Sequence, residues 1–346
     1  MTEWQEIAML GGLALALSAV LVPLARRAAL RLGITDRPAA GKHHAVPTPY
    51  LGGVAIAVAV VGVLATQGWT GEVSALVGAA LLVSCIGLVD DVRTARPAVR
   101  LAVETTAACI VFAAGARVEV FGGPIDLILT VIWLVGLTNA YNFLDNMDAC
   151  AAAILCVSTT ALLAAAALEG QYLVATLASV ILGASVGFLL YNWHPARIFL
   201  GDAGSLFLGF LVSATALKIR FPTGHLPGFV AVVCIAGPAL FDMTLVVISR
   251  VRAGRPVYIG GTDHTSHRLL RLGVSTRQVG VLFAVVTAAT GSLGVAIGRG
   301  AVDWWFVSLP LLVAAALLTT LLRLPAGATP AQVHAPGVDA TAGGRG

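Results

Sequence analysis

PIDLILTVIWLVGLTNAYNFLDNMD, residues 124–148, carries the two features that decide the reading of this chain: an apolar run over 124–141 and, at its end, a cluster of amides and acids. A helix rises about 1.5 Å per residue, so a run of roughly 17–25 apolar residues crosses the hydrocarbon core of a bilayer. Working outward, comparable runs fall at 7–25, 52–68, 72–89 and 98–115 on one side, and at 149–168, 171–190, 203–219, 228–249, 278–298 and 303–322 on the other. Composition agrees, because 58% hydrophobic residues, 11% charged residues and a mean hydropathy of +0.92 exclude an ordinary soluble domain. The expectation is an all-α, polytopic transmembrane bundle of about eleven helices, rich in Gly and Ala so that backbones can approach closely in lipid. Residues 1–324 read as one membrane domain. Residues 325–346, rich in Gly, Ala, Pro and Thr, read as a disordered cytoplasmic tail.

Lys and Arg favour cytoplasmic loops, and their distribution sets the orientation. With the N-terminus outside and the C-terminus inside, seventeen basic residues fall on inner segments. Only Arg117, Lys218, Arg220 and Arg299 fall on outer ones, which together account for all 21. Glu3 and Glu6 precede the first run and Arg26-Arg27 follow it, the pattern of a first transmembrane helix and not of a cleaved leader. The net charge of +4 is explained by this topology and an anionic inner leaflet, so no nucleic-acid partner is expected. The five cysteines form no CxxC pair and read as small buried apolar residues.

Four polar islands interrupt the apolar chain, and this topology puts all of them on the inner face. Acids, amides and histidines at membrane depth mark functional sites, so the pattern points to a membrane-embedded enzyme. Asp90 and Asp91 end the third run in GLVDDVR. Adjacent carboxylates repel unless a cation or a proton intervenes, which suits a divalent metal or phosphoryl chemistry, or else a solvated pair balanced by Arg93 or Arg96. Asn139, Asn142, Asp145 and Asp148 recur every third residue and are expected to line one side of a helix as hard oxygen donors of the kind Mg²⁺ takes. Gly201, Asp202, Gly204 and Ser205 open the eighth run, where helix N-terminal amides favour an anion. His264, His267 and Arg268 lie in the longest inner connection with Arg252 upstream, a set suited to phosphate recognition and lacking the second ligand pair of a zinc site. Lys42 and His44 in GKHHAVPTPYLGG are placed to meet an anionic lipid headgroup. Glu104 and Asp242 lie within runs and need partners: Glu104 reads as structural, and Asp242 as either a structural pair with Arg250 or a lining of the site.

Five blocks, GKHHAVPTPYLGG (41–53), GLVDDVR (87–93), NAYNFLDNMD (139–148), RIFLGDAGSLFLG (197–209) and DHTSHRLLRLG (263–273), occur in the order found in the polyprenyl-phosphate N-acetylhexosamine-1-phosphate transferases, which this chain resembles. The resemblance implies transfer of a sugar 1-phosphate from a UDP-N-acetylhexosamine to a polyprenyl phosphate, with release of UMP, in a bacterial plasma membrane and on its cytoplasmic face. It implies Mg²⁺, with Mn²⁺ as a substitute, held by Asn142 and Asp202. Asp90, Asp91, Asp145 and Asp148 match the catalytic and substrate-binding acids. Lys42, His44, Asn139, Gly201, Gly204, Ser205, Arg252, His264, His267 and Arg268 are expected to bind substrate, and a homodimer is compatible with the family.

The chain departs from the commoner pattern at Asn146 and Ala149, where glycines usually follow the acids, and at Ser266, where a histidine is usual. These bear on the donor, for which UDP-GlcNAc is favoured over the UDP-MurNAc-pentapeptide of peptidoglycan synthesis. A transporter, the rival outside the class, should gather its polar groups at the midplane between repeated halves, and no repeat is visible here.

Overall fold

The computed structural model describes residues 2–36 and 47–324. The predictions for Lys42, His44 and the tail 325–346 lie outside the described residues. All eleven predicted runs are helical: α1 (Glu3–Leu32), α2 (Gly52–Ala65), α3 (Gly71–Val92), α4 (Pro97–Ala113), α5 (Gly123–Leu144), α6 (Cys150–Leu168), α7 (Tyr172–Asn192), α8 (Gly201–Lys218), the pair α9 (His225–Ile235) and α10 (Gly237–Arg252), α12 (Thr276–Gly298) and α13 (Ser308–Arg323). A short helix, α11 (Thr265–Arg271), lies in the connection after α10, a 3-10 turn (Trp304–Val307) precedes α13, and a two-stranded antiparallel ribbon pairs Thr35 with Pro49. Among the described residues, seven helices are long and apolar enough to cross a membrane, or eight counting α9 and α10 as one span bent by 70°. The bend falls at Ala236-Gly237-Pro238, where proline cannot donate to the preceding turn. α2 at 14 residues and α4 at 17 fall short of that length, and α8 carries Asp202 and Lys218 near its two ends.

The bundle is organised around α8, in which every residue except Asp202 and Lys218 is buried. Small residues make this burial sterically feasible. A methyl on Gly53 of α2 would overlap the backbone of Gly204, and one on Gly87 of α3 would overlap the backbone of Asp202. α1 and α7 approach in the same way, with Gly183 against the Gly11 carbonyl, and they are tied by Ser179 Oγ donating to Ile7 O (2.9 Å) and Tyr191 OH to Ala19 O (2.9 Å). This is the small-residue packing expected where no hydrophobic force drives helices together. α13 buries only Leu321 and presents an apolar outer surface. Cys150, Cys156 and Cys234 are buried as expected, whereas Cys85 and Cys109 are exposed on the apolar outer surfaces of α3 and α4.

Candidate active site

The C-terminal ends of α3, α5 and α10 and the N-terminal ends of α4 and α8 meet at one end of the bundle, and the polar islands converge there. Arg100, one turn into α4, is the hub. Its Nε donates to Glu104 Oε1 (3.1 Å), Nη1 to Asp90 Oδ2 and to Asp202 Oδ2 (both 3.2 Å), and Nη2 to Asn139 Oδ1 (3.1 Å) and Asn142 Oδ1 (2.6 Å). The amides reach onward: Asn142 Nδ2 donates to Asp202 Oδ1 (2.7 Å) and Ser205 Oγ (2.9 Å), and Asn139 Nδ2 to Glu104 Oε2 (2.5 Å). Glu104, 1% exposed, thus has the partners that its depth demands. Arg100 entered the sequence reading only as one basic residue among those of the inner side. Its spacing of four from Glu104, the helical interval at which opposite charges meet, was the available signal.

Asp91 takes a different position from Asp90. Its carboxylate accepts from the amides of Asp202 (2.8 Å) and Ala203 (3.0 Å), so it caps α8. The α8 N-terminus expected to cradle a phosphate is thus already occupied. Gly201 sits at φ +73° beside the Asp91 carboxylate, and Gly204 packs α8 onto α2. In this arrangement Gly201 and Gly204 shape the turn and the helix contact. Ser205 is buried and donates to Gly201 O (3.0 Å).

The four residues expected on one helical face separate because α5 ends at Leu144. Asn139 and Asn142 point to Arg100. Asp145 follows the last turn and accepts from Gly201 N (3.2 Å); burial, then the nearby Asp202 and Asp91 carboxylates, push its acid up to about 8. Asp148 turns the other way, to His194 Nδ1 (2.8 Å) and the Ala196 amide (2.9 Å), and so clamps the α7–α8 connection. Ala149 beside it holds φ +63°, a left-handed conformation that a glycine adopts without strain.

A second cluster abuts the first through Phe143. Its ring faces His264 edge-on (centroids 6.1 Å apart), lies beneath the Arg250 guanidinium (5.3 Å), and is followed by Asn146, whose Oδ1 accepts from Ser266 Oγ (2.6 Å). Asp242 pairs with His264 Nδ1 (2.8 Å) and caps α11 at Thr265 N (2.7 Å), not with Arg250 as sequence proximity suggested. Arg250 instead pairs with Asp263 (3.2 Å), as does Arg255 (2.5 Å). His267 lies beside His264, with ring centroids 5.8 Å apart. Arg268 is 1% exposed and fully engaged: it donates to Asp263 O (3.0 Å), Ser249 Oγ (2.8 Å), Leu324 O (2.8 Å) and Leu321 O. It closes the C-terminus of α13 through carbonyls 53 and 56 residues downstream. Arg252 is exposed at the end of α10.

Among the described residues no three His, Cys, Asp or Glu side chains form a metal cage. What the site offers is a partial, open set of hard oxygens around one cationic group, at the mouth of a lipid-spanning bundle. Such a site is that of a membrane-embedded protein with an enzyme-like polar centre at one end of its bundle.

Comparison with known proteins gives the family. Residues 73–220 match glycosyl transferase family 4, a segment running from α3 through α8 and carrying the Arg100 cluster. The chain is 31% identical over 285 residues to a Bacillus subtilis protein named "Probable undecaprenyl-phosphate N-acetylglucosaminyl 1-phosphate transferase", covering 77% of this chain and 80% of that one. It is 29% identical over 317 residues to decaprenyl-phosphate N-acetylglucosaminephosphotransferase of Mycobacterium tuberculosis (80% and 78%), and 25% over 290 residues to undecaprenyl-phosphate alpha-N-acetylglucosaminyl 1-phosphate transferase of Escherichia coli (78% of each). The chain belongs to this family of polyprenyl-phosphate N-acetylhexosamine-1-phosphate transferases, and with its apolar helices it is a multi-pass membrane protein.

Proposed function

We infer that this protein transfers N-acetylglucosamine 1-phosphate to a polyprenyl phosphate. The observation that carries the reading is the convergence of Asp90, Asn139, Asn142 and Asp202 on one guanidinium, in the segment that matches the family. The donor is a UDP-N-acetylhexosamine, UDP-GlcNAc above others. An oxygen of the lipid phosphate attacks the phosphorus that bears the sugar. The bond from that phosphorus to the bridging oxygen breaks, leaving lipid diphosphate sugar and UMP. A phosphate monoester has a second pKa near 6, so a dianionic nucleophile is already present at neutral pH and the protein's main task is positioning and charge neutralisation.

Mg²⁺ suits the donor set, because it takes one or two protein oxygens and completes its shell with water and substrate phosphates. Asn142 and Asp202 would hold it, with Mn²⁺ as a substitute, and when bound it would neutralise the diphosphate and polarise its oxygens. Asp90, which shares Arg100 Nη1 with Asp202, orients the lipid phosphate. Asp91 positions Asp202 by capping α8. His264, fixed at Nδ1 by Asp242, and His267 receive the sugar diphosphate, with Arg252 supplying charge at the rim. The proposed orientation has this end in the cytoplasm and the N-terminus outside, and the bias of basic residues toward the inner segments supports it.

The test is purified protein with undecaprenyl phosphate and labelled UDP-GlcNAc, with and without Mg²⁺, following UMP and label entering the lipid phase. Metal-dependent formation of both is expected. Turnover of another UDP-sugar in its place would correct the donor, and silence with every UDP-sugar would overturn the reading.

A further inference from the structure

The guanidinium of Arg100 touches the same oxygens that the metal reading requires. Nη2 stands 2.6 Å from Asn142 Oδ1 and Nη1 stands 3.2 Å from Asp202 Oδ2, with Asp90 Oδ2 equally close at 3.2 Å. Magnesium binds oxygen at about 2.0–2.1 Å. A cation at that distance on the side of Asn142 Oδ1 and Asp202 Oδ2 that faces Arg100 would lie against the guanidinium nitrogens, so the two compete for that side of the oxygens. The charges give the same result. Arg100 offsets one of three neighbouring carboxylates, Asp90, Glu104 and Asp202, and like-charged groups packed this closely hold together only around positive charge. Exchange moves the guanidinium as one rigid plane on its flexible aliphatic stem, and Glu104, bound at Nε one turn along α4, keeps the group beside the site; the side chain is 16% exposed.

We propose that Arg100 is a placeholder cation: before substrate binds it holds Asp90, Asn142 and Asp202 in their converged arrangement, and it is exchanged for the divalent metal when metal and nucleotide diphosphate arrive. This rests on the reading of Asn142 and Asp202 as metal ligands. The exchange links metal binding to the donor, because the Nη groups that leave Asp90 and Asp202 gain a new anionic partner when a diphosphate is present. Arg100 is then a positioning residue whose removal strengthens metal binding by the empty protein, the opposite of what loss of a scaffold residue does.

The experiment measures Mn²⁺ binding by electron paramagnetic resonance on the full-length protein in nanodiscs, without nucleotide and with UDP, for the wild type, Arg100→Gln, Arg100→Lys and Asp202→Asn. Without nucleotide, Arg100→Gln is expected to bind Mn²⁺ about 5–150-fold more tightly than wild type, the span of ordinary coupling between sites, and UDP narrows the gap. Arg100→Lys keeps the charge but reaches fewer oxygens as a point donor, so it gives a smaller rise and serves if Arg100→Gln does not fold. Unchanged or weaker binding in the folded Arg100 variants overturns the placeholder. Retention of wild-type Mn²⁺ affinity in Asp202→Asn would sink the metal reading itself, whereas loss there with no gain in the Arg100 variants sinks the placeholder alone.

Discussion

Removing the Asp263 carboxylate should destabilise the protein far more than removing Arg255, the arginine that it binds at the surface. Asp263 is 1% exposed and Arg250 2%, whereas the Arg255 side chain is 44% exposed. Asp263→Ala leaves the Arg250 guanidinium buried with only the Val257 carbonyl (2.5 Å) and the face of Phe143 as partners. Stranding one member of a buried ion pair costs about 3–5 kcal/mol, while breaking a half-exposed pair costs about 0–1 kcal/mol. An unfolding entropy of about 2.1 cal/mol/K per residue over 346 residues amounts to roughly 0.7 kcal/mol/K. Asp263→Ala should therefore lower the midpoint of thermal unfolding in detergent by about 4–7 °C, and Arg255→Ala by about 1 °C or less. The double variant Arg250→Met/Asp263→Leu removes both charges and should recover much of the loss, because apolar residues of similar volume replace buried ion pairs at little cost. The assay is the temperature at which the monodisperse peak in size-exclusion chromatography falls by half. Equal shifts for Asp263→Ala and Arg255→Ala, or a double variant no better than the single, would refute the assignment of the destabilisation to a stranded charge.

The same network sets a pH dependence. Burial alone would raise the Asp263 acid, but the hydrogen bonds and charges of Arg255 and Arg250 outweigh it and hold it below the ordinary carboxylate range; its contribution is therefore complete above about pH 4, the unfolded value, and lost as pH falls through the lower folded one. An acid titration of wild type against Asp263→Asn should converge only below that range, and convergence between pH 5 and 6 would contradict it. Arg268→Ala removes a charged donor from Leu321 and Leu324, each such bond being worth about 1.5–3 kcal/mol, and should free α13; limited proteolysis should cut after α12 in the variant and not in wild type, while the KM for the sugar donor of the folded fraction stays unchanged. Gly53→Val drives a branched side chain into the Gly204 backbone, an overpacking cost of about 1–3 kcal/mol, and should lower both the thermal midpoint and turnover; Gly62→Val, further along α2 and facing only the tip of Leu17, should change neither.

The membrane fold was legible in the sequence because hydropathy is a local property and every lipid-crossing segment must display it. Ten of the eleven runs each became one helix and the run 228–249 became the bent pair α9 and α10, with ends displaced by a few residues where a cap and not the apolar count decided the boundary. α1 begins at Glu3, ahead of its apolar run, because Thr2 and Gln5 form a capping box. α5 stops at Leu144, within the polar island, and this explains why a regular spacing of three at Asn139, Asn142, Asp145 and Asp148 did not yield one ligand face. The spacing was read as if the helix continued. Only the first two residues lie on it.

What the sequence could not display is which charges meet, since ion pairing in lipid is decided by helices distant in the chain. Asp90 was weighed against Arg93 and Arg96, its neighbours in sequence, and binds Arg100 across the α3–α4 turn; Asp91 caps a helix more than a hundred residues away; Asp242 takes His264 and leaves Arg250 to Asp263. A carboxylate at this depth is costly without a partner, so each acid in the sequence announced that a cation or a row of amides had to reach it, without saying which. Counting demands of this kind narrows the choice. Three carboxylates at the ends of α3, α4 and α8 had to share positive charge, and Arg100, four residues from Glu104 and near the start of α4, stands within reach of all three. One guanidinium against three carboxylates leaves a deficit of positive charge, and that deficit, more than any one ligand, is the physical reason for proposing that a divalent cation takes the place of the Nη groups among them.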